Sequence, residues 1–217
     1  MSAFVVAIDG PAAAGKGTLA RRLAEAFDFA YLDTGSLYRA VALALLRAGN
    51  PQPTEAQAAT AAAALDLGLT GDAALRDEAT GNLASVVAAM PRVRTALLGL
   101  QRDVAVNPPG GKAGVILDGR DIGTVIYPEA PVKLFLTASV DARAARRYLE
   151  LVDKGVRADL DQIRAEIAAR DARDAGRATA PLKAADDAYL LDTSNLGIED
   201  VFAKAKTIIE KARGTQA

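Results

Sequence analysis

Five short apolar runs punctuate the chain: Phe4–Asp9, Phe29–Leu32, Gly114–Leu117, Val132–Thr137 and Ala188–Leu191. Each reads as a strand. Between them lie stretches of helical spacing, such as Thr18–Phe27, where Leu19, Leu23 and Phe27 fall four apart on one face. Strands alternating with helices predict a five-stranded parallel sheet with helices on both sides. In open sheets of that kind ligands bind beyond the carboxyl ends of the strands. Asp9, Asp33 and Asp118 stand at or beside three of those ends, and Asp192 closes the last.

The rhythm breaks twice. From Asn50 to Met90 the chain opens with Pro51 and Pro53, continues through an alanine-rich helical run to Leu65, and breaks at Gly68 and Gly71. We read residues 50–90 as a mostly helical insertion over one side of the sheet. A helix is predicted from about Leu75 to Val104, interrupted at Gly81 and Pro91. The second break, Ser139–Thr179, predicts two charged helices separated at Gly155. It carries eight arginines, at 143, 146, 147, 157, 164, 170, 173 and 177, interleaved with acidic residues. Such a hairpin can fold over a polyphosphate as a lid, excluding water and neutralising charge. The core then comprises 1–49, 91–138 and 180–217, within a single domain.

Residues Gly10-Pro11-Ala12-Ala13-Ala14-Gly15-Lys16-Gly17-Thr18 follow the first strand and precede the first helix. That is the setting of a phosphate-binding loop. Its glycines let successive N–H groups turn inward around an anion, Lys16 adds a cation, and the helix presents its positive end. The hydroxyl that usually follows the lysine arrives one residue late, on Thr18. The motif implies a nucleoside triphosphate.

Composition narrows the chemistry. The 217 residues include 26 basic and 27 acidic ones, a formal charge of -1 that argues against general nucleic-acid binding. There is no cysteine and no histidine, which removes thiol nucleophiles, Cys-ligated zinc and the commonest general base. Lys, Arg, Asp, hydroxyls and a metal ion are left to do the work. No run reaches the roughly 18 apolar residues of a membrane span, so the expectation is a cytoplasmic monomer with small-molecule partners.

Three further segments complete the pattern: Asp33-Thr-Gly-Ser-Leu-Tyr-Arg39, Leu117-Asp-Gly-Arg-Asp-Ile-Gly-Thr124, and Arg170-Asp-Ala-Arg-Asp-Ala-Gly-Arg177 followed by Ala180-Pro-Leu. In order and spacing, from about residue 4 to residue 213, the four segments resemble the bacterial cytidylate kinases of the P-loop nucleoside monophosphate kinases. The resemblance implies transfer from ATP, with Mg²⁺, to CMP and dCMP. It implies catalytic roles for Lys16, Arg39, Arg120 and Arg177, the last three on the acceptor phosphate. Thr34 would join the acceptor site. Arg170 and Asp174 would reach the ribose and nearby phosphate, and Ser85, Arg94 and Asp121 the cytosine edge. Thr18, Asp33 and Asp118 would hold Mg²⁺, the aspartates through water, and Arg146 and Arg147 would contact the donor.

The chemistry is consistent with those residues. A phosphate acceptor is largely dianionic near neutral pH and needs no strong base; it needs cations that bring two polyanions together. One departure stands out. Family members usually carry a small antiparallel β-insertion, and residues 65–84 are too short for it, which predicts at most a short hairpin. The rival readings are another P-loop small-molecule kinase, such as an adenylate or shikimate kinase, and a non-catalytic nucleotide-binding regulator. The first would carry Asp-Gly-Phe-Pro-Arg where this chain has Asp-Gly-Arg-Asp-Ile-Gly if it were an adenylate kinase; the second predicts loss of the acceptor arginines.

Overall fold

A computed structural model describes residues 3–216. Five strands, β1 (Phe4–Asp9), β2 (Ala30–Asp33), β3 (Gly114–Asp118), β4 (Val132–Thr137) and β5 (Tyr189–Asp192), form one parallel sheet in the order β2-β3-β1-β4-β5. The central strand is β1, whose Val5 to Ile8 are fully buried. The expected strands are all present, with β2 and β5 displaced by one residue toward their terminal aspartates. Pairing sets Asp33 opposite Asp118 and Ile8 opposite Asp118, so the carboxyl ends of β1, β2 and β3 lie side by side.

Helix α1 (Lys16–Phe27) starts two residues earlier than its apolar spacing predicts. Leu19 and Leu23 pack from it against β1, β3, β4 and helix α8 (Ile198–Gln216) in the first core cluster, burial worth about 1.5–3 kcal/mol for each leucine. Gly10 makes the turn out of β1 with φ at +146°, and a β-carbon there would stand 2.0 Å from the Leu136 carbonyl oxygen. The phosphate loop therefore lies against β4 in a way only glycine permits.

Helices α2 (Thr34–Arg47), α3 (Glu55–Ala63), α4 (Glu78–Val87) and α5 (Pro91–Val106) share a second cluster that includes Leu37, Val41, Ala58, Leu83, Val87 and Leu97. The insertion is thus built into the core through alanine-lined contacts. Between α3 and α4 run two short 3₁₀ turns, Leu67–Gly71 and Ala73–Arg76, each opened by an aspartate whose side chain accepts from the backbone two residues on. Among the described residues no strand forms in this segment, so no hairpin remains. Gly81 does not interrupt the helix as expected; it lies within α4, where a β-carbon would come 3.0 Å from an Arg39 guanidinium nitrogen. The other expected break, at Pro91, is present: α4 ends at Val87 and proline serves as the first residue of a new helix.

Helices α6 (Val140–Asp153) and α7 (Leu160–Ala175) form the charged hairpin, joined through Gly155 and packed on one another by Ala144, Ile163 and Ile167. Among the described residues no single helix is long and apolar enough to cross a membrane. Gly10→Ala is expected to destabilise the fold by about 2–3 kcal/mol, seen as a fall of roughly 6–10 °C in the unfolding midpoint. An unchanged midpoint would contradict the close contact between Gly10 and β4.

Candidate active site

Helix α1 begins without a side-chain cap and with no acidic residue in its first turn, Gly15 entering it in the left-handed region at φ 88°. Its first N–H groups are therefore left for an anion. Lys16 is 6% exposed, donates from Nζ to the Pro11 carbonyl at 2.9 Å and lies 4.0 Å from Asp118. Burial and the nearby Arg120 push its ammonium down, while burial pushes the Asp118 carboxyl up against the pull of Lys16. At Gly17 a β-carbon would lie 3.3 Å from Asp118 Oδ2 and 3.6 Å from the Tyr31 hydroxyl. The missing side chain thus leaves room for a carboxylate beside the loop.

A cavity of about 270 Å³ opens next to Lys16. Every residue expected to meet the acceptor lines it: Thr34, Arg39, Ser85, Arg94, Arg120, Asp121, Arg170, Asp174 and Arg177. Counting Lys16, Asp33 and Asp118 as well, its wall carries six cationic and four acidic side chains. At one end, Asp174 is 1% exposed and accepts from Arg120 Nε at 3.1 Å and from Arg177. At the other, Asp121 accepts from Arg94, whose guanidinium also donates to the Ala88 carbonyl at 3.2 Å and lies 5.8 Å from the centroid of the Tyr38 ring. The Ser85 hydroxyl and the Nε atoms of Arg170 and Arg177 are buried without a protein partner. Burial pushes Arg170 down to about 10 and lowers Arg39 and Arg177 too, while raising Asp121. Desolvation dominates these charges, so an incoming anion would meet donors stripped of water.

Other expected residues lie elsewhere. Thr18 is exposed and does not line the cavity. Arg146 donates to the Thr193 hydroxyl at 3.0 Å and to the Thr193 carbonyl, and that hydroxyl also lies 3.4 Å from the Ala14 carbonyl. Arg147 pairs with Glu150 three residues on at 2.9 Å, the nearest carboxylate on its own helix, although its charge still reaches Arg39. Asp33 lines the cavity and also caps α2, accepting from the Ser36 N–H at 3.2 Å.

Among the described residues no cluster of three or more His, Cys, Asp or Glu could hold a metal by itself. The Asp33 and Asp118 pair fits Mg²⁺, which keeps several waters and takes phosphate oxygens alongside one or two carboxylates.

Three residues had no role in the sequence reading. Tyr38 walls the cavity beside Ala84 and Ala88. Asp9, 6% exposed, accepts from the Ile122 and Gly123 N–H groups, both at 2.8 Å, and so fastens the turn after Asp121 to the end of β1. Arg143 is 3% exposed and touches the phosphate loop from outside. The position of Asp9 at a strand end was the available signal for it; one arginine among eight gave none for Arg143.

A phosphate loop at the head of a parallel sheet, facing a cavity walled by arginines under a helical hairpin, defines a P-loop small-molecule kinase of the nucleoside monophosphate kinase fold. A solved sugar kinase from Janibacter sp. HTCC2649 shares that fold, with a TM-score of 0.52 at 13% identity over 96% of this chain and 95% of its own. The family model for cytidylate kinase matches residues 6–211. The chain is 54% identical over 207 residues to the cytidylate kinase of Rhodospirillum rubrum, covering 95% of this chain and 97% of that protein. It is 53% identical over 209 residues to that of Agrobacterium fabrum, covering 96% and 98%. The chain belongs to the cytidylate kinase family.

Burial pushes the Asp9 carboxyl up from 3.8 to about 6, outweighing the two backbone N–H groups that favour its charge. The folded protein thus holds this proton more tightly than the unfolded chain. The stability associated with Asp9 is greatest below 3.8, falls as pH rises through about 6, and is flat above. Relative to Asp9→Asn, the wild type should lose about 2–3 kcal/mol across that window, measured by denaturant unfolding at a series of pH values. A difference constant with pH would show that Asp9 is not held as described.

Proposed function

We propose that the chain transfers the γ-phosphoryl group of ATP to CMP, and to dCMP, giving ADP and CDP or dCDP. One observation carries the reading: nine residues drawn from α2, α4, α5, α7 and the loops after β3 and α7 line a single cavity beside Lys16. Family membership supplies the substrate class. Lys16 and the amides at the start of α1 hold the donor phosphates. Arg39, Arg120 and Arg177 hold the acceptor phosphate, whose dianion balances the two-charge excess of cations over carboxylates in the cavity wall. Arg170 and Asp174 face the ribose. Asp174 is already held by two arginines, so loss of a 2′-hydroxyl should cost little.

Cytosine is read by the polar groups around Arg94. Asp121 can accept from the exocyclic amine, Arg94 can donate to the ring carbonyl, and the Ser85 hydroxyl is free to bond. Uracil would set a carbonyl oxygen against the Asp121 carboxylate. In the reaction a CMP phosphate oxygen attacks the γ-phosphorus in line as the bond to the ADP oxygen breaks. No base is needed, because the attacking group already carries its charge. The arginines and Lys16 stabilise the charge spread over the equatorial oxygens. Mg²⁺, held by Asp33 and Asp118 through water, would supply further positive charge at the phosphates. Thr18, Arg146 and Arg147 would meet the donor as the α6–α7 hairpin closes.

ADP formation from ATP and Mg²⁺, with CMP, dCMP, UMP, AMP, GMP, dTMP and shikimate offered separately, tests the reading. Turnover should be strong with CMP and dCMP and at least about 100-fold weaker in kcat/KM with UMP. Comparable turnover with UMP or AMP would overturn the base-reading assignment. Lys16→Ala should lower kcat by about 100-fold or more without loss of fold.

A further inference from the structure

We infer that Arg143 is a positioning residue that couples the phosphate loop to helix α7, so that the donor and acceptor halves of the site form one unit. The inference rests on the reading above, in which the loop takes ATP and α7 takes the acceptor.

Arg143 sits in the first turn of α6. Its Nε donates to the Ala138 carbonyl at 2.9 Å, within the turn that leads from β4 into the helix. Its Nη1 donates to the Ala12 carbonyl at 3.2 Å and to Asp171 Oδ1 at 3.0 Å, and its Nη2 donates to Asp171 Oδ2. Four of the five guanidinium N–H donors are thus engaged with protein groups, and neither Arg143 nor Asp171 lines the cavity. An exposed ion pair contributes little to stability. This one is different because a single planar fork, 3% exposed, ties three separate segments together.

Each tie bears on the site. In a planar trans peptide the carbonyl and the following N–H point in opposite directions. Holding the Ala12 carbonyl toward Arg143 therefore turns the Ala13 N–H the other way, and Ala13 borders the cavity with φ at 58°. On the other side, Asp171 adjoins Arg170 and lies one turn before Asp174, both in the cavity wall. The apolar contact of α7 with α6 lies in its first two turns, at Ile163 and Ile167. The later turn carrying Arg170 and Asp174 is held to the start of α6 by the Arg143 fork. A ligand that fixes the loop thereby also fixes the turn that meets the acceptor.

The test is a binding cycle: the dissociation constant of CMP by calorimetry, with and without a non-hydrolysable ATP analogue and Mg²⁺. In the wild type the analogue should tighten CMP by about fivefold or more. In Arg143→Met and in Asp171→Asn the ratio should fall to about one, and the double variant should lose nothing further. Arg143→Lys keeps the charge but not the fork, and should not restore the ratio. A merely structural role would weaken each nucleotide by itself and leave the ratio intact. Folded variants that keep the wild-type ratio would overturn the proposal, as would a wild type with a ratio of one. Asp171→Asn decides the matter where Arg143→Met fails to fold. Absence of CMP turnover in the wild type would instead sink the functional reading, and the same cycle would then be run with whichever monophosphate turns over.

Discussion

The crowding of positive charge into one desolvated cleft is the constraint around which the site is built. Lys16, Arg39, Arg94, Arg120, Arg170 and Arg177 face the same cavity, and like charges repel more strongly when water is withdrawn. Three buried carboxylates hold the arrangement together, and the first, Asp118, lies 4.0 Å from Lys16. Asp174 takes Arg120 and Arg177, and Asp121 takes Arg94. Arg39 and Arg170 have no ion-pair partner among the described residues, and burial lowers both, Arg170 to about 10. In the function proposed above, a phosphate dianion relieves this crowding.

The sheet order makes that crowding possible. With β1 in the centre and β3 and β4 beside it, the phosphate loop, Asp118 and the start of α6 all rise from adjacent strand ends. Asp9 fastens the turn after Asp121 to β1 with two backbone hydrogen bonds, and Thr34 Oγ1 donates to the Asp118 carbonyl at 2.8 Å. The insertion reaches the site. Arg39 donates to the Leu75 carbonyl in the second 3₁₀ turn at 2.8 Å and packs on Gly81. A hairpin is not needed to place Ser85, because α4 does so by sharing its core with α2 and α5.

Much of this was legible in the residues. The strands showed as short apolar runs, since a parallel sheet is buried on both faces. The phosphate loop and the Asp-Gly-Arg-Asp segment carried their chemistry in contiguous residues. The insertion was harder, because two-residue aspartate caps can make a 3₁₀ turn from a segment with no period of its own. Gly81 read as a breaker although its purpose is to admit Arg39. Arg143 and Arg146 looked like any arginine on a charged helix; what separates them is the Ala12 carbonyl, 131 positions away, and Thr193, 47 away. Long-range polar contacts of that kind leave no local pattern. Arg147 and Thr18 lie apart from the cavity, Arg147 paired with Glu150 and Thr18 exposed.

In the proposed function, the cations of the cavity repel one another and the acceptor phosphate settles them. The most direct measurement is the unfolding midpoint with saturating CMP compared with the same concentration of cytidine. Relief of charge by the phosphate predicts that CMP raises the midpoint by several degrees, that cytidine barely moves it, and that added salt diminishes the difference. Equal stabilisation by cytidine, or a CMP effect indifferent to salt, would contradict it.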